Sequence, residues 1–168
     1  MMKVSNFVII PINPNRELSK QVLFHASFEP HSTISTGGGV GMIYTGIDLI
    51  EIPRVAGVLE RYPERFLSKV FTEGEQHYSR GRASQLASRF AAKEAVMKLL
   101  GTGVRGVPWK SIEVTRKRGG PPEILLHGHA KIRAGKMGIT RIAISLSHSR
   151  ELATASAVGE ASDDAWKP

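Results

Sequence analysis

An α+β fold, with an antiparallel sheet packed against one long helix, is predicted by three features of the sequence. After a first strand, helical signals dominate residues 53–100. Strand candidates then cluster late and pair through short turns, rather than alternating with helices as a parallel α/β fold requires. The long helix itself is announced by Arg-Phe-Ala-Ala-Lys-Glu-Ala-Val-Met-Lys-Leu-Leu-Gly-Thr-Gly over 89–103, strong helix formers with no Pro and no Gly before Gly101.

Residues 1–41 carry Pro11, Pro14, Pro30 and the run Thr36-Gly37-Gly38-Gly39-Val40-Gly41, and neither helical nor strand periodicity persists there. They read as a disordered or loosely attached extension, or as a mis-assigned start in which the Gly run is a translated ribosome-binding site. Met42 then opens the folded domain, expected over 42–160 and followed by a flexible tail over 161–168.

Ile43–Ile50 alternates as a strand. Pro53 suits the first turn of a helix carrying Val55, Leu59 and Tyr62 on one side, which Pro63 interrupts. Thr72-Glu73-Gly74-Glu75 is a capping box opening a short helix through Tyr78. The long helix is expected over 85–100, capped by Ser84 and closed by Gly101, with Leu86, Phe90, Met97 and Leu100 on its apolar face. Ser111–Thr115 and Glu123–Leu126 form a hairpin across Gly119-Gly120-Pro121-Pro122, and a short helix covers Ala130–Lys136. Arg141–Ser147 and Leu152–Val158 are the last two strands.

Composition bounds the function. The 168 residues contain no cysteine, so no disulfide framework exists, which suits a reducing cytoplasmic setting. The apolar run Phe7–Ile10 is too short for a secretory or membrane-spanning segment. A formal charge of +8 favours anionic partners, among them phosphorylated ligands and acidic proteins. Only 7% of residues are aromatic, so a stacking platform for nucleic acid has little support, and Arg116-Lys117-Arg118 reads as a solvated hairpin tip.

Three constellations carry chemistry. Glu94 stands four residues after Phe90 and four before Lys98, which draws its carboxylate to the rim of the core. A partly buried carboxylate needs a partner, so Glu94 should meet Lys98, a metal, or both. The plain alternative is a solvated helix pair. Asp48 lies inside an apolar strand, where Asp is disfavoured; it is either bonded to nearby backbone or paired with Glu94 across a cation. Two hard oxygen ligands favour Mg²⁺, with Mn²⁺ able to replace it, and Mg²⁺ commonly shares its remaining positions with substrate phosphate. Finally, Ser145 and Ser147 point away from Ile144 and Leu146, with His148 at the strand end. That arrangement suits phosphate contacts, although a strand-end histidine can equally be incidental.

Gly46-Ile47-Asp48-Leu49-Ile50-Glu51-Ile52, the segment Arg89–Ala95 through Lys98 and Gly101-Thr102-Gly103, and Ser145-Leu146-Ser147-His148 together closely resemble the holo-acyl-carrier-protein synthases. These are the small trimeric members of the 4′-phosphopantetheinyl transferase superfamily, and the resemblance covers residues 42–160. It implies transfer of 4′-phosphopantetheine from coenzyme A to a serine of an acyl carrier protein, releasing adenosine 3′,5′-bisphosphate, for fatty acid biosynthesis. It makes Asp48 and Glu94 the Mg²⁺ ligands and Lys98 a stabiliser beside the phosphates. Arg89 and Lys93 are implied at coenzyme A phosphates or in neighbouring structure, and Ser147 and His148 at coenzyme A. His148 also competes with Glu94 or a metal-associated water to take the serine proton. Arg54 matches an arginine used in carrier docking, and Arg61 and Arg65 extend that basic face. A homotrimer with sites between neighbours is implied. Two departures stand out: Gly120-Pro121-Pro122 replaces the usual Gly-Lys-Pro, and Ser88 replaces a Gly.

Overall fold

The structure is a computed structural model describing residues 42–162 and the short segments 7–8 and 23–24. The chain divides into two units, Met1–Ser32 and Thr33–Pro168. In the first, β1 (Phe7–Val8) pairs antiparallel with β2 (Leu23–Phe24). Two-residue strands are too short to leave a periodicity and are not visible in the sequence pattern. The rest of the expected 1–41 extension lies outside the described residues, as does the tail beyond Ser162.

In the second unit, β3 (Met42–Glu51), β7 (Leu152–Ala161) and β6 (Ile139–His148) form an antiparallel sheet in the order β3-β7-β6. β4 (Ile112–Arg116) and β5 (Pro122–Leu126) form a separate two-stranded sheet. The helices are α1 (Ile52–Arg61), α2 (Pro63–Val70), α3 (Glu73–Ser79), α4 (Ala83–Leu99) and α5 (Gly128–Lys136). The expected α+β class, built on antiparallel pairs, is what the chain adopts.

α4 lies against β3 and β7. It is buried on nearly every side, with Leu86, Ala87, Ala91, Ala95, Val96 and Met97 all inaccessible or nearly so. Alanines on the strand-facing side allow close approach, and β7 answers with Ala153, Ala155 and Ala157, also buried. Gly46 takes this furthest: a Cβ there would stand 2.0 Å from the Ala95 carbonyl oxygen. Only glycine permits the contact.

Three local expectations are corrected. Pro63 does not merely interrupt a helix; it opens α2, since proline tolerates the first helical turn. The N-cap of α4 is Arg82, with no side-chain cap, and the Ser84 carbonyl instead accepts from the Ser88 hydroxyl at 2.9 Å. Tyr62 ends α1 exposed rather than on its buried side. The capping box is as expected: the Thr72 side chain accepts from Glu75 N, and the Glu75 carboxylate accepts in return from Thr72 N. Gly101 has the expected left-handed φ of 62° after α4.

Candidate active site

Alternation along β3 turns Tyr44, Gly46, Asp48 and Ile50 toward the core and leaves Ile43, Thr45, Ile47 and Leu49 outward. Because Gly46 sets the strand on the backbone of α4, Asp48 two residues later falls beside the next turn of that helix. Lys98 reaches it, donating from Nζ to Asp48 Oδ1 and to the Ile47 carbonyl, each at 2.9 Å. Thr154 on β7 donates from Oγ1 to the Asp48 carbonyl at 2.8 Å, fixing the backbone of the acidic residue.

The sequence leaves Glu94 to meet Lys98, a metal, or both. In the structure the ammonium goes to Asp48, and no hydrogen bond or ion pair to Glu94 is found among the described residues. Burial, then the neighbouring Asp48 charge, raises the Glu94 pKa to about 7, with Lys98 opposing. Burial also raises Asp48, against the hydrogen bond from Lys98. Two carboxylates are thus held in a poorly solvated corner with a single ammonium between helix and strand.

That donor set fits a hard divalent cation. No group of three or more His, Cys, Asp or Glu suited to a metal exists among the described residues. Mg²⁺ is nevertheless content with one or two carboxylates and completes its shell with water and phosphate. Lys98 already occupies Asp48 as a stand-in cation, and among the described residues Glu94 lacks the partner its burial requires.

Lys93 and Arg89 do not join this cluster. Lys93 is fully buried, and its Nζ meets Glu75 Oε2 at 2.8 Å and the carbonyls of Trp109 and Ile112. All three donors of the ammonium are therefore used inside the fold. Glu75 in turn accepts from Val114 N and Thr72 N, so this pair ties α3, α4 and β4 together. Arg89 is 3% exposed, lies over the Tyr78 ring at 4.1 Å and donates to Gln85, while its Nε has no partner. Glu75 is absent from the candidates read in the sequence because its capping-box role conceals a second one.

Ser147 and His148 are also apart from the carboxylates. Register places Leu146, Ala155 and Asp48 in one row, with β7 between β6 and β3. Ser145 and Ser147 are exposed on the opposite face of the sheet, and His148 is exposed at its end. Two strand spacings, about 10 Å, separate β6 from β3.

On α1, Arg54 is half-buried and Arg61 folds back to donate from Nε to the Gly57 carbonyl at 2.9 Å. Beside them runs an open groove of about 290 Å³ lined by Val58, Tyr62, Arg65, Phe66, Lys69 and Val70. Its apolar floor and Lys69 were not foreseen, because they depend on α2.

Comparison with known proteins gives a consistent result. A family model described as the 4′-phosphopantetheinyl transferase superfamily matches residues 44–155. The chain is 50% identical over 120 residues to a holo-[acyl-carrier-protein] synthase of Gloeobacter violaceus, covering 68% of this chain and 91% of that relative. Over 124 residues it is 45% identical to the Moorella thermoacetica protein of the same name, covering 72% and 96% respectively. Among solved structures, the Plasmodium yoelii acyl carrier protein synthase with ADP bound superposes with a TM-score of 0.67 at 29% identity, covering 74% of this chain and 99% of that one. The Helicobacter pylori holo-[acyl-carrier-protein] synthase in complex with coenzyme A gives 0.63 at 27% identity, covering 68% and 98%.

Proposed function

The chain belongs to the 4′-phosphopantetheinyl transferase superfamily, and from that premise we propose that it is a holo-[acyl-carrier-protein] synthase. It transfers 4′-phosphopantetheine from coenzyme A to a serine of apo-acyl carrier protein and releases adenosine 3′,5′-bisphosphate, in support of fatty acid biosynthesis. The observation that carries this reading is the Asp48–Lys98 contact beside an unpaired Glu94, on the segments that match the family.

Chemically, the serine oxygen forms a bond to phosphorus as the bond to the adenosine-side phosphate breaks, and the serine gives up its proton. Asp48 and Glu94 would hold Mg²⁺, or Mn²⁺ in its place, which when bound neutralises pyrophosphate charge and polarises the phosphorus. Lys98 supplies a further positive charge against the charge that develops on the phosphates. In the metal-free site burial raises the Glu94 pKa to about 7, so a proton and the cation compete for its oxygens. Lys93 is not assigned to coenzyme A, because its donors are used within the fold.

Two further parts of the reading rest on surface features. A homotrimer is favoured by the outward row Ile43, Ile47, Leu49, Leu152 and Val158, with Ile47 66% exposed, and by Ser147 facing away from its own chain's carboxylates with His148 exposed at the strand end. Those two residues would serve coenzyme A in a neighbour's site. Carrier docking is assigned to Arg54, Arg61 and Arg65 with the apolar groove beside them, since acidic carriers would be steered by that charge. No helix among the described residues is long and apolar enough to cross a membrane; the proposed setting is the cytoplasm.

The test is direct. Incubation with coenzyme A, Mg²⁺ and apo-acyl carrier protein should raise the carrier's intact mass by one phosphopantetheine, and EDTA should prevent it. Asp48→Ala and Glu94→Ala should each lower the rate at least a hundredfold while preserving the circular dichroism spectrum. Full activity in either variant removes the metal assignment.

A further inference from the structure

We propose that Lys98 works in two positions: it is the cation that holds Asp48 while no divalent ion is bound, and it yields Asp48 when one arrives. The proposal rests on the reading of Asp48 and Glu94 as metal ligands. Helix geometry alone would pair Lys98 with Glu94, one turn back, a contact worth a few tenths of a kcal/mol in an isolated helix. Instead the side chain crosses to β3 and spends two of its three donors there, on Asp48 Oδ1 and the Ile47 carbonyl, each at 2.9 Å. Two acceptors meet there, the Asp48 carboxylate with 12% side-chain exposure and the Ile47 carbonyl, so one ammonium satisfies both and leaves no unpaired charge on Asp48.

A divalent ion ligated by Asp48 would stand a few ångströms from an ammonium still bonded to Oδ1, and the repulsion between the two cations drives Lys98 off the carboxylate. Its four-carbon stem allows a swing, and its 19% side-chain exposure gives it a route out of the corner. Lys98 is then a free cation at the mouth of the site, ready for a phosphate oxygen. Metal binding and coenzyme A binding become positively coupled, because the first releases the group that the second uses. In the absence of metal, the same residue keeps the two carboxylates from repelling each other.

The experiment measures Mn²⁺ binding to the metal-stripped full chain near pH 8, without coenzyme A, by electron paramagnetic resonance. Lys98→Met should bind Mn²⁺ about tenfold more tightly than wild type, since a charge-assisted bond to the ligand is removed. The same variant should lose transfer activity. A damaged fold would shift affinity the other way, so tighter binding reports on competition. Unchanged or weaker binding in Lys98→Met overturns the two-position role. Asp48→Asn and Glu94→Gln keep the two readings separable: they should abolish Mn²⁺ binding whatever Lys98 does. If both retain wild-type affinity, the ligand assignment itself fails, and the proposal falls with it.

Discussion

At the scale of single residues, Glu94 makes the sharpest claim, because its environment was built for a charge it does not balance alone. Burial and Asp48 raise its pKa from 4.5 to about 7. The unfolded chain releases this proton near its ordinary value, whereas the metal-free fold holds it until neutrality. Stability therefore falls as pH rises from about 4.5 to 7, and the loss is complete above the folded value. The cost is on the order of 3 kcal/mol. In EDTA, urea unfolding should give a smaller free energy at pH 7.5 than at pH 5.5 for wild type, and a flatter profile for Glu94→Gln. Added Mg²⁺ should raise the melting temperature more at pH 8 than at pH 6, since the ion competes with the proton for the same oxygens. An equal rise at both values would mean that Glu94 is not a ligand. Asp48 and Glu94 were legible in the sequence as charged residues in apolar patterns. What the sequence left open was the destination of Lys98, which depends on how far β3 sits from α4.

Between elements, that distance is set by Gly46. A Cβ at position 46 would lie 2.0 Å from the Ala95 carbonyl oxygen and 2.8 Å from Leu99 N, both backbone atoms that cannot rotate aside. Gly46→Ala should cost about 3 kcal/mol in urea unfolding, at the upper end of overpacking penalties, and should weaken transfer by moving α4 off Asp48. Gly57→Ala is the contrast. A Cβ there meets only the Arg61 guanidinium at 3.7 Å, within α1, so the helix should gain about 0.5–1 kcal/mol. If both substitutions cost the same, close packing at position 46 is not what holds the element pair. The same packing explains what sequence reading missed. Leu86, Phe90, Met97 and Leu100 define an apolar stripe with a gap, and position 93 falls in that gap, three after Phe90 and four before Met97. Lys93 is therefore a core residue by position and a phosphate ligand only by charge. Position wins, because Glu75 waits on α3 to receive it. α2 was missed for a different reason: its Pro63 reads as a stop when seen after α1 and as a start when seen before Phe66.

For the whole molecule, the decisive feature is how far apart one chain holds the residues proposed for its site. Asp48, Glu94 and Lys98 lie on the α4 side of the sheet. Ser147 is exposed on the other side, and His148 stands at the far edge strand. The outward face that carries Ser145 and Ser147 continues across Val158 to Thr45 and Ile47. An apolar face of this kind seldom stays open to water, and the proposed homotrimer would cover it with a neighbouring copy. A site shared between copies can be tested by complementation, which assembly measurements alone do not provide. Asp48→Ala and the double variant Ser147→Ala/His148→Ala should each be inactive by themselves. Co-expressed in equal amounts, they should recover roughly a quarter of wild-type transfer, because random assembly joins an intact Asp48 to a neighbour's intact Ser147 and His148 at that frequency. If each chain's site were self-contained, every chain in the mixture would carry one defect or the other, and no activity would return. Ile47→Asp should abolish the recovery by breaking the contact between copies, as sedimentation would record, while each chain keeps its fold. A return of activity that survives Ile47→Asp would place the shared surface elsewhere on the molecule.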